Sequence, residues 1–191
     1  QFSLKYGRYN YMKMQWLARV SPLLLLSTAA VGADNLYVGA KVGNVTADNF
    51  APLVESRTAI DDSDTSYGLF VGYHIVDTLA IEGGYNYLGE YDLKDIAGGS
   101  YEASSFDVVL KASGIVTDSL ALYAKGGIAI YDWKANGPGV ESDDSGVTPT
   151  IAFGTEYSIT SAMKIGIEYQ LYQDIGGVDI DSFNVALSHS F

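Results

Sequence analysis

The chain has 191 residues, of which 23 are acidic and 11 basic, and its net charge of −12 argues against a nucleic-acid partner, because phosphate binding needs a basic face. The lack of cysteine excludes disulfides, thiolate nucleophiles and cysteine-ligated metals. A length of about one domain, with 15 tyrosines and 4 prolines, excludes a disordered chain. The mean hydropathy of +0.09 is low for a bundle of membrane helices, but it suits strands that alternate lipid-facing and lumen-facing side chains.

Residues 12–33 have the layout of a secretory signal peptide. Lys13 and Arg19 give a positive start, an apolar run follows, and small residues complete a cleavage site. A membrane anchor is the less favoured interpretation, because the run is shorter than the ~20 residues that a spanning helix needs and a proline interrupts it. We expect residues 1–11 to lie outside the native protein and residues 34–191 to form the mature chain. A secreted chain without cysteine fits a bacterial envelope protein.

Period-two alternation of side chains, the signal of a β-strand, occurs in eight segments of the mature chain. We predict strands at 36–43, 67–75, 79–87, 106–113, 120–130, 150–157, 163–171 and 182–191. Three connections are short, at 75–78, 115–119 and 158–162, and four are expected to be long or polar, at about 46–65, 92–101, 134–147 and 173–180. This arrangement predicts an all-β fold, a transmembrane eight-stranded antiparallel up-and-down β-barrel.

The two faces of the predicted strands differ in charge. One face is almost wholly aliphatic, aromatic or small and carries no charged residue. The other face carries four cations and four anions, namely Lys41, Glu82, Asp107, Lys111, Lys125, Glu156, Lys164 and Glu168. Alternation alone does not separate a membrane barrel from a soluble sandwich. The balanced charges favour the barrel, because a small enclosed interior needs its charges paired.

Tyrosine and tryptophan collect near the ends of the predicted strands. The residues concerned are Tyr37, Tyr85, Tyr87, Tyr131, Trp133, Tyr157 and Tyr172. We interpret them as aromatic girdles at the two membrane interfaces, a second feature that favours the barrel.

Four segments resemble the OmpA transmembrane domain: 36–43, 81–89, 154–160 and 167–170. The resemblance implies a bacterial outer-membrane location, contact with membrane lipid and lipopolysaccharide, and a charged lumen network that plugs or gates the interior. It also implies delivery by periplasmic chaperones and the barrel-assembly machinery. The chain-terminal pattern resembles the signal that this machinery reads, in Phe183, Val185, Leu187 and Phe191. We expect a monomer.

Two departures from the family pattern affect these expectations. Gly166 stands where the family has an arginine on the seventh strand, and Lys164 is the candidate substitute. The resemblance covers residues 34–191 and does not extend to the family's periplasmic peptidoglycan-binding domain, so we expect no cell-wall tether.

The lumen charges allow two interpretations, control of solute passage or simple filling of the interior. The second is favoured, because an eight-stranded barrel is only wide enough for its own side chains. We expect Glu82 to lie centrally and to pair with Lys111 or Lys125. The predicted function is therefore structural, with weak small-solute permeation through a charge-plugged lumen. The alternative is a surface-recognition protein that acts through its extracellular loops, with Val45–Thr65 as the best candidate for contact.

Other chemistry is less well supported by the sequence. The acidic clusters are Asp61, Asp62 and Asp64, and Glu141, Asp143 and Asp144; neither has the spacing of a calcium loop, so we predict solvated loop charge and no metal site. A lipid-A-modifying enzyme is a remote alternative. It would need His74 or His189, and neither has an evident nucleophile. We therefore predict no catalytic residue and no cofactor.

Overall fold

The computed structural model describes residues 33–48, 63–93, 99–137 and 142–191. Within these ranges a 3₁₀ turn (Ala33–Asn35) precedes eight strands. They are β1 (Leu36–Asp48), β2 (Ser63–Val76), β3 (Leu79–Leu93), β4 (Gly99–Ile115), β5 (Leu120–Asn136), β6 (Ser142–Ser158), β7 (Met163–Ile175) and β8 (Val178–Ser190). The strands pair antiparallel in chain order. Strand β8 then pairs with β1 and closes the barrel, which confirms the predicted fold class.

Some of the sequence predictions fall on other parts of the chain. The upstream segment 1–11 and the signal peptide 12–33 lie outside the described residues, apart from Ala33. Most of the predicted connection at 46–65 also lies outside the described residues, namely residues 49–62. No helix within the described ranges is long and apolar enough to cross a membrane.

One end of the barrel, here called the short-turn end, has the three tight connections that the sequence predicted. They join Val76 to Leu79, Ile115 to Leu120, and Ser158 to Met163. Threonine hydroxyls close two of these turns: Thr117 Oγ1 accepts the N–H of Leu120 at 3.1 Å, and Thr160 Oγ1 accepts that of Met163 at 2.9 Å. Side-chain acceptors of this kind satisfy turn N–H groups that the strand ladders leave over.

At the opposite end, here called the loop end, two predicted loops are wrong. Much of 134–147 is strand, since β5 runs to Asn136 and β6 begins at Ser142. The predicted loop at 173–180 is a tight hairpin, in which Gly176 and Gly177 have φ of 63° and 93°. A two-residue turn with positive φ at both central positions matches the twist of paired strands, and glycine adopts it without strain. The cluster of Asp and Gly that suggested a loop is therefore a hairpin signal.

The polarity of the two faces of the barrel wall reverses between the short-turn end and the loop end. Toward the short-turn end, the outer face is apolar and the inner face is charged. Toward the loop end, exposed Glu90, Glu102, Asp132 and Lys134 stand outside, and an apolar layer fills the inside. This layer consists of Val45, Ala47, Leu88, Tyr91, Tyr101, Ala103, Ala129, Trp133, Ala135, Tyr172, Ile175, Val178 and Ile180. Strands of 13–17 residues exceed the ~9–11 that a membrane crossing needs. The strands are therefore long enough to extend past a bilayer core, and the outer face near the loop end has the polarity of a soluble protein.

The predicted aromatic girdle is only partly correct. Tyr85 and Tyr157 lie on the outer face, with 50% and 54% of their surface exposed. Tyr37, Trp133 and Tyr172 point inward and are at most 8% exposed, and Tyr131 packs against the apolar layer. These four residues have the parity of the lumen face, and nearness to a strand end did not decide where they point.

Candidate functional site

A continuous chain of ion pairs crosses the lumen, and we call it the ionic chain. Its members alternate in sign and come from six different strands; in order they are Lys41, Glu168, Lys125, Glu82, Lys111 and Glu156. Lys125 Nζ lies 2.6 Å from Glu168 Oε2 and 2.5 Å from Glu82 Oε2. Lys41 Nζ lies 2.9 Å from Glu168 Oε1 at one end, and Lys111 pairs with Glu156 at the other. Three cations and three anions balance, so the ionic chain carries no net charge.

Glu82 holds together two lysines that would otherwise repel each other. Lys111 and Lys125 are Cα partners on the neighbouring strands β4 and β5, and like charges directly opposite each other destabilise a sheet. Glu82 Oε1 lies 3.6 Å from Lys111 Nζ, and Glu82 Oε2 lies 2.5 Å from Lys125 Nζ. Its side chain is only 4% exposed, so one buried carboxylate compensates both cations.

Two tyrosines that sequence analysis did not assign to the network complete it. Tyr37 donates a hydrogen bond to Glu82 Oε1 at 2.6 Å, and Tyr123 donates one to Glu168 Oε2 at 3.1 Å. The Lys111 ammonium lies 4.4 Å from the centroid of the Tyr123 ring, within range of a cation–π attraction. The phenols therefore satisfy the carboxylates while their rings face the ammonium groups.

Glycines on neighbouring strands make room for these two rings. Gly72 is the Cα partner of Tyr37, and Gly154 is that of Tyr123. A Cβ at Gly72 would lie 2.1 Å from the Tyr37 ring, and one at Gly154 would lie 2.3 Å from the Tyr123 ring. An aromatic residue of lumen parity opposite a glycine is the sequence signal that could have identified both tyrosines.

Gly154→Val is expected to lower the free energy of unfolding by about 1–3 kcal/mol, because the added side chain overlaps the Tyr123 ring and displaces its hydroxyl from Glu168. Urea unfolding in lipid vesicles measures the change. Gly126→Val is the matched control, because Gly126 is on the exposed outer face and a Cβ there meets no atom within 4 Å. Equal effects of the two substitutions would contradict this account.

Asp107 lies outside the ionic chain, although sequence analysis grouped it with the other charges. Neutral side chains supply its donors: Asn86, Gln170 and Tyr172 bond Oδ2 at 2.8, 2.8 and 2.9 Å, and Ser105 bonds Oδ1 at 2.8 Å. Gln170 Oε1 in turn accepts a hydrogen bond from Lys41 Nζ at 2.7 Å. One amide thus links Asp107 to the end of the ionic chain.

Lys164 does not join the ionic chain. Its Cα partners are Ser158 and Ser188, near the short-turn end, and no ion pair between described residues includes it. Glu156, which faces Gly166 across β6 and β7, pairs with Lys111 instead. Seven of the eight predicted lumen charges therefore belong to one network, which consists of the ionic chain and Asp107. Lys164 lies nearer the short-turn end.

The interior contains little open space. A cavity beside the ionic chain, lined by Lys41, Glu82, Asp107 and Gln170 among others, has a volume of about 20 Å³, roughly enough for one water molecule. Nearer the loop end lies the apolar layer, where the rings of Tyr101 and Trp133 stack with centroids 5.6 Å apart. Tyr101 also donates a hydrogen bond to the carbonyl oxygen of Ile175 at 2.9 Å. The lumen is therefore closed in two layers, one ionic and one apolar.

Comparison with known proteins places this geometry in a family. The sequence model of the OmpA-like transmembrane domain matches residues 31–186. The chain belongs to the OmpA-like transmembrane domain family. It is 32% identical over 174 residues to outer membrane protein A of Shigella flexneri and 30% identical over 171 residues to that of Escherichia coli O157:H7. Each alignment covers 86% of this chain, which spans about half the length of these relatives.

Solved structures share the fold of this OmpA-like barrel. Neisserial surface protein A superposes with a TM-score of 0.62 at 13% identity, covering 82% of this chain and 97% of that one. The attachment invasion locus protein Ail of Yersinia pestis superposes with a TM-score of 0.59 at 10% identity, covering 83% and 99%. Because the chain belongs to this family and shares the fold of outer-membrane barrels, it is an integral protein of the bacterial outer membrane. The short-turn end is then periplasmic and the loop end extracellular.

The two histidines of this OmpA-like chain lie on different strands, His74 on β2 and His189 on β8. His74 Nδ1 is buried and has no hydrogen-bond partner among the described residues, and its ring lies 4.9 Å from that of Tyr37. His189 stands on the outer face, edge-on to Phe191 at 5.1 Å. Neither arrangement orients a base toward a nucleophile.

Of the predicted acidic clusters, Asp61, Asp62 and Glu141 lie outside the described residues. Asp64 Oδ2 accepts the N–H of Glu90 at 2.7 Å, which is a structural role. Asp143 and Asp144 are exposed. Within the described ranges, no three acidic or histidine side chains are grouped so that they could hold a metal ion.

Proposed function

We propose that this OmpA-like protein is a structural element of the outer membrane whose lumen is closed at rest and permeates small solutes only weakly. The observation that carries the proposal is the double closure, in which the ionic chain crosses the lumen with a cavity of only about 20 Å³ beside it and the apolar layer fills the lumen at a second height. A solute would have to separate buried ion pairs and then cross an apolar zone. Both steps cost free energy, so passage is expected to be rare.

The outer surface supports the rest of this role. The lipid-facing residues form a continuous apolar band that includes Leu69, Leu110 and Ile167, each about half exposed. We propose contact with membrane lipid and lipopolysaccharide there, by a single copy of the chain. We also propose that the barrel-assembly machinery and periplasmic chaperones recognise the alternating outward pattern of β8 and the chain end. The residues of that pattern are Phe183, Val185, Leu187 and Phe191, which are 45–55% exposed.

Planar-bilayer recording tests the closed lumen. The purified full chain is expected to insert and to stay closed for most of the recording, with rare events of small conductance, because the ionic chain and the apolar layer lie in series. A gel run with and without heating shows that the inserted material is the compact barrel. A steady open current carried by heat-modifiable protein would overturn the proposal.

A further inference from the structure

The extracellular part of the barrel wall opens between β6 and β7. Strand β6 pairs with β5 from Ser142 to Tyr157, but with β7 only from Thr150 onward. In the part of the chain that the structure describes, residues 142–149 thus have a strand on one side only. We call this segment the open edge. A strand with one partner presents a row of N–H and C=O groups that can pair with another chain.

The local sequence explains why the two strands separate at this height. Pro149 has no N–H to give to β7. On the other strand, Asp174 has φ of 56° and leads directly into the Gly176–Gly177 hairpin, which turns β7 back toward β8. The hydroxyl of Thr148 donates to the carbonyl oxygen of Gln173, which marks where the strands diverge. The opening is therefore built from proline and turn chemistry.

The open edge offers more acceptors than donors. The N–H of Ser145 is bonded to Asp144 Oδ1 at 2.8 Å, so Ser145 points away from β5. Since N–H and C=O directions alternate along a strand, Asp143, Val147 and Pro149 point the same way. Asp143, Ser145 and Val147 each present a carbonyl oxygen at this edge, whereas Pro149 has no N–H and that of Ser145 is already bonded. An occupant rich in hydrogen-bond donors fits this edge.

The charged side chains around the open edge also favour a cationic occupant. Asp143 and Asp144 are exposed on β6, and Asp174 is exposed on the facing hairpin. Lys134, the Cα partner of Asp143, is one of two cations on the adjoining strand β5, and the other, Lys125, belongs to the ionic chain. Carboxylates on both sides of the opening attract a cationic segment, and they oppose a second copy of this chain, which would bring its own carboxylates to the contact.

We propose that the open edge of β6 binds an extended lysine- or arginine-rich segment of a partner protein by strand addition. Backbone hydrogen bonds to Asp143 and Val147 hold the segment, and the carboxylates of Asp143, Asp144 and Asp174 select its charge. This recognition role is separate from the closed lumen, because the edge lies on the extracellular wall.

The test uses the full chain refolded in detergent micelles and a labelled peptide of alternating lysine and valine, with binding followed by fluorescence anisotropy. We expect saturable binding that weakens as salt rises, together with slower hydrogen exchange of the Val147 amide. Val147→Pro removes an edge N–H and is expected to weaken binding about tenfold. Val147→Thr, which keeps that N–H, is the matched control. Heat-dependent gel mobility shows that each variant is folded.

A second set of variants tests the charge, so the proposal does not depend on how Val147→Pro folds. Asp143→Asn combined with Asp144→Asn is expected to weaken binding about tenfold, whereas Glu102→Gln, on the outer face of β4, is expected to leave it unchanged. Equal binding of a lysine–proline peptide, or unchanged affinity in the Asn variant, would overturn strand addition at this edge. A dimer lost in Val147→Pro would assign the edge to a second copy, and peptide binding that appears only after deletion of residues 49–62 would assign it to that segment. Either result would also overturn the proposal.

Discussion

Replacing Glu82 with alanine is expected to lower the free energy of unfolding by about 3–5 kcal/mol, the usual loss when one partner of a buried ion pair is removed. The variant leaves Lys111 and Lys125 directly opposite each other on neighbouring strands. It also removes the acceptor of the Tyr37 hydroxyl. The remaining ionic chain then holds three cations and two anions in a buried interior. Urea unfolding in lipid vesicles, followed by tryptophan fluorescence, measures the loss.

Two further variants identify the cause of that loss. Glu90→Ala, an exposed residue of the same strand, is expected to change stability by no more than about 0.5 kcal/mol. Adding Lys125→Met to Glu82→Ala is expected to recover part of the loss, because it removes one uncompensated cation. If the double variant is no more stable than Glu82→Ala, the loss comes from packing, and the electrostatic account is wrong.

Sequence reasoning located the strands and the short turns because both depend on local signals. Alternation needs only a few consecutive residues, and it placed Glu82 and Lys125 on the inner face. The predicted pairing of Glu82 with Lys111 or Lys125 is confirmed, and Glu82 pairs with both. Contacts that close the barrel could not be obtained in the same way. Lys41 meets Glu168 at a separation of 127 residues, and that contact depends on closure of the barrel and on its register.

The errors at the loop end have a common physical origin. Beyond the hydrocarbon, the outer face becomes polar while the inner face becomes apolar, so a search for apolar outer residues stops too early. Residues near Trp133 were therefore assigned to an interface girdle and a loop. The alternation of side chains continues in β5 and β6 beyond this point, but with polar residues outside and apolar residues inside. A search that allowed for this reversal would have extended both strands. The Asp-Ile-Gly-Gly segment at 174–177 would still have been ambiguous, since the same residues occur in long loops and in tight hairpins.

Trp133→Ala is expected to cost about 3–5 kcal/mol of unfolding free energy, the range for deleting a large buried aromatic side chain. Trp133 is 8% exposed, stacks on Tyr101, and covers Gly176, where a Cβ would lie 2.4 Å from its Nε1. Its removal would leave a cavity in the apolar layer that the rigid strands around it cannot close. Urea unfolding in lipid vesicles measures the loss. Because the variant lacks this tryptophan, unfolding is followed by the disappearance of the heat-modifiable gel band instead of by tryptophan fluorescence.

Lys134→Ala is the control, because Lys134 is adjacent in sequence but exposed on the outer face. It is expected to change the free energy of unfolding by no more than about 0.5 kcal/mol. If Trp133→Ala were as mild as Lys134→Ala, the apolar layer would not be a packed core. Conductance adds a second readout, because the ionic chain stays intact in Trp133→Ala. The variant is therefore expected to be destabilised yet to remain closed. A large rise in its open time would locate the permeation barrier in the apolar layer alone, and closure would then not require the ionic chain.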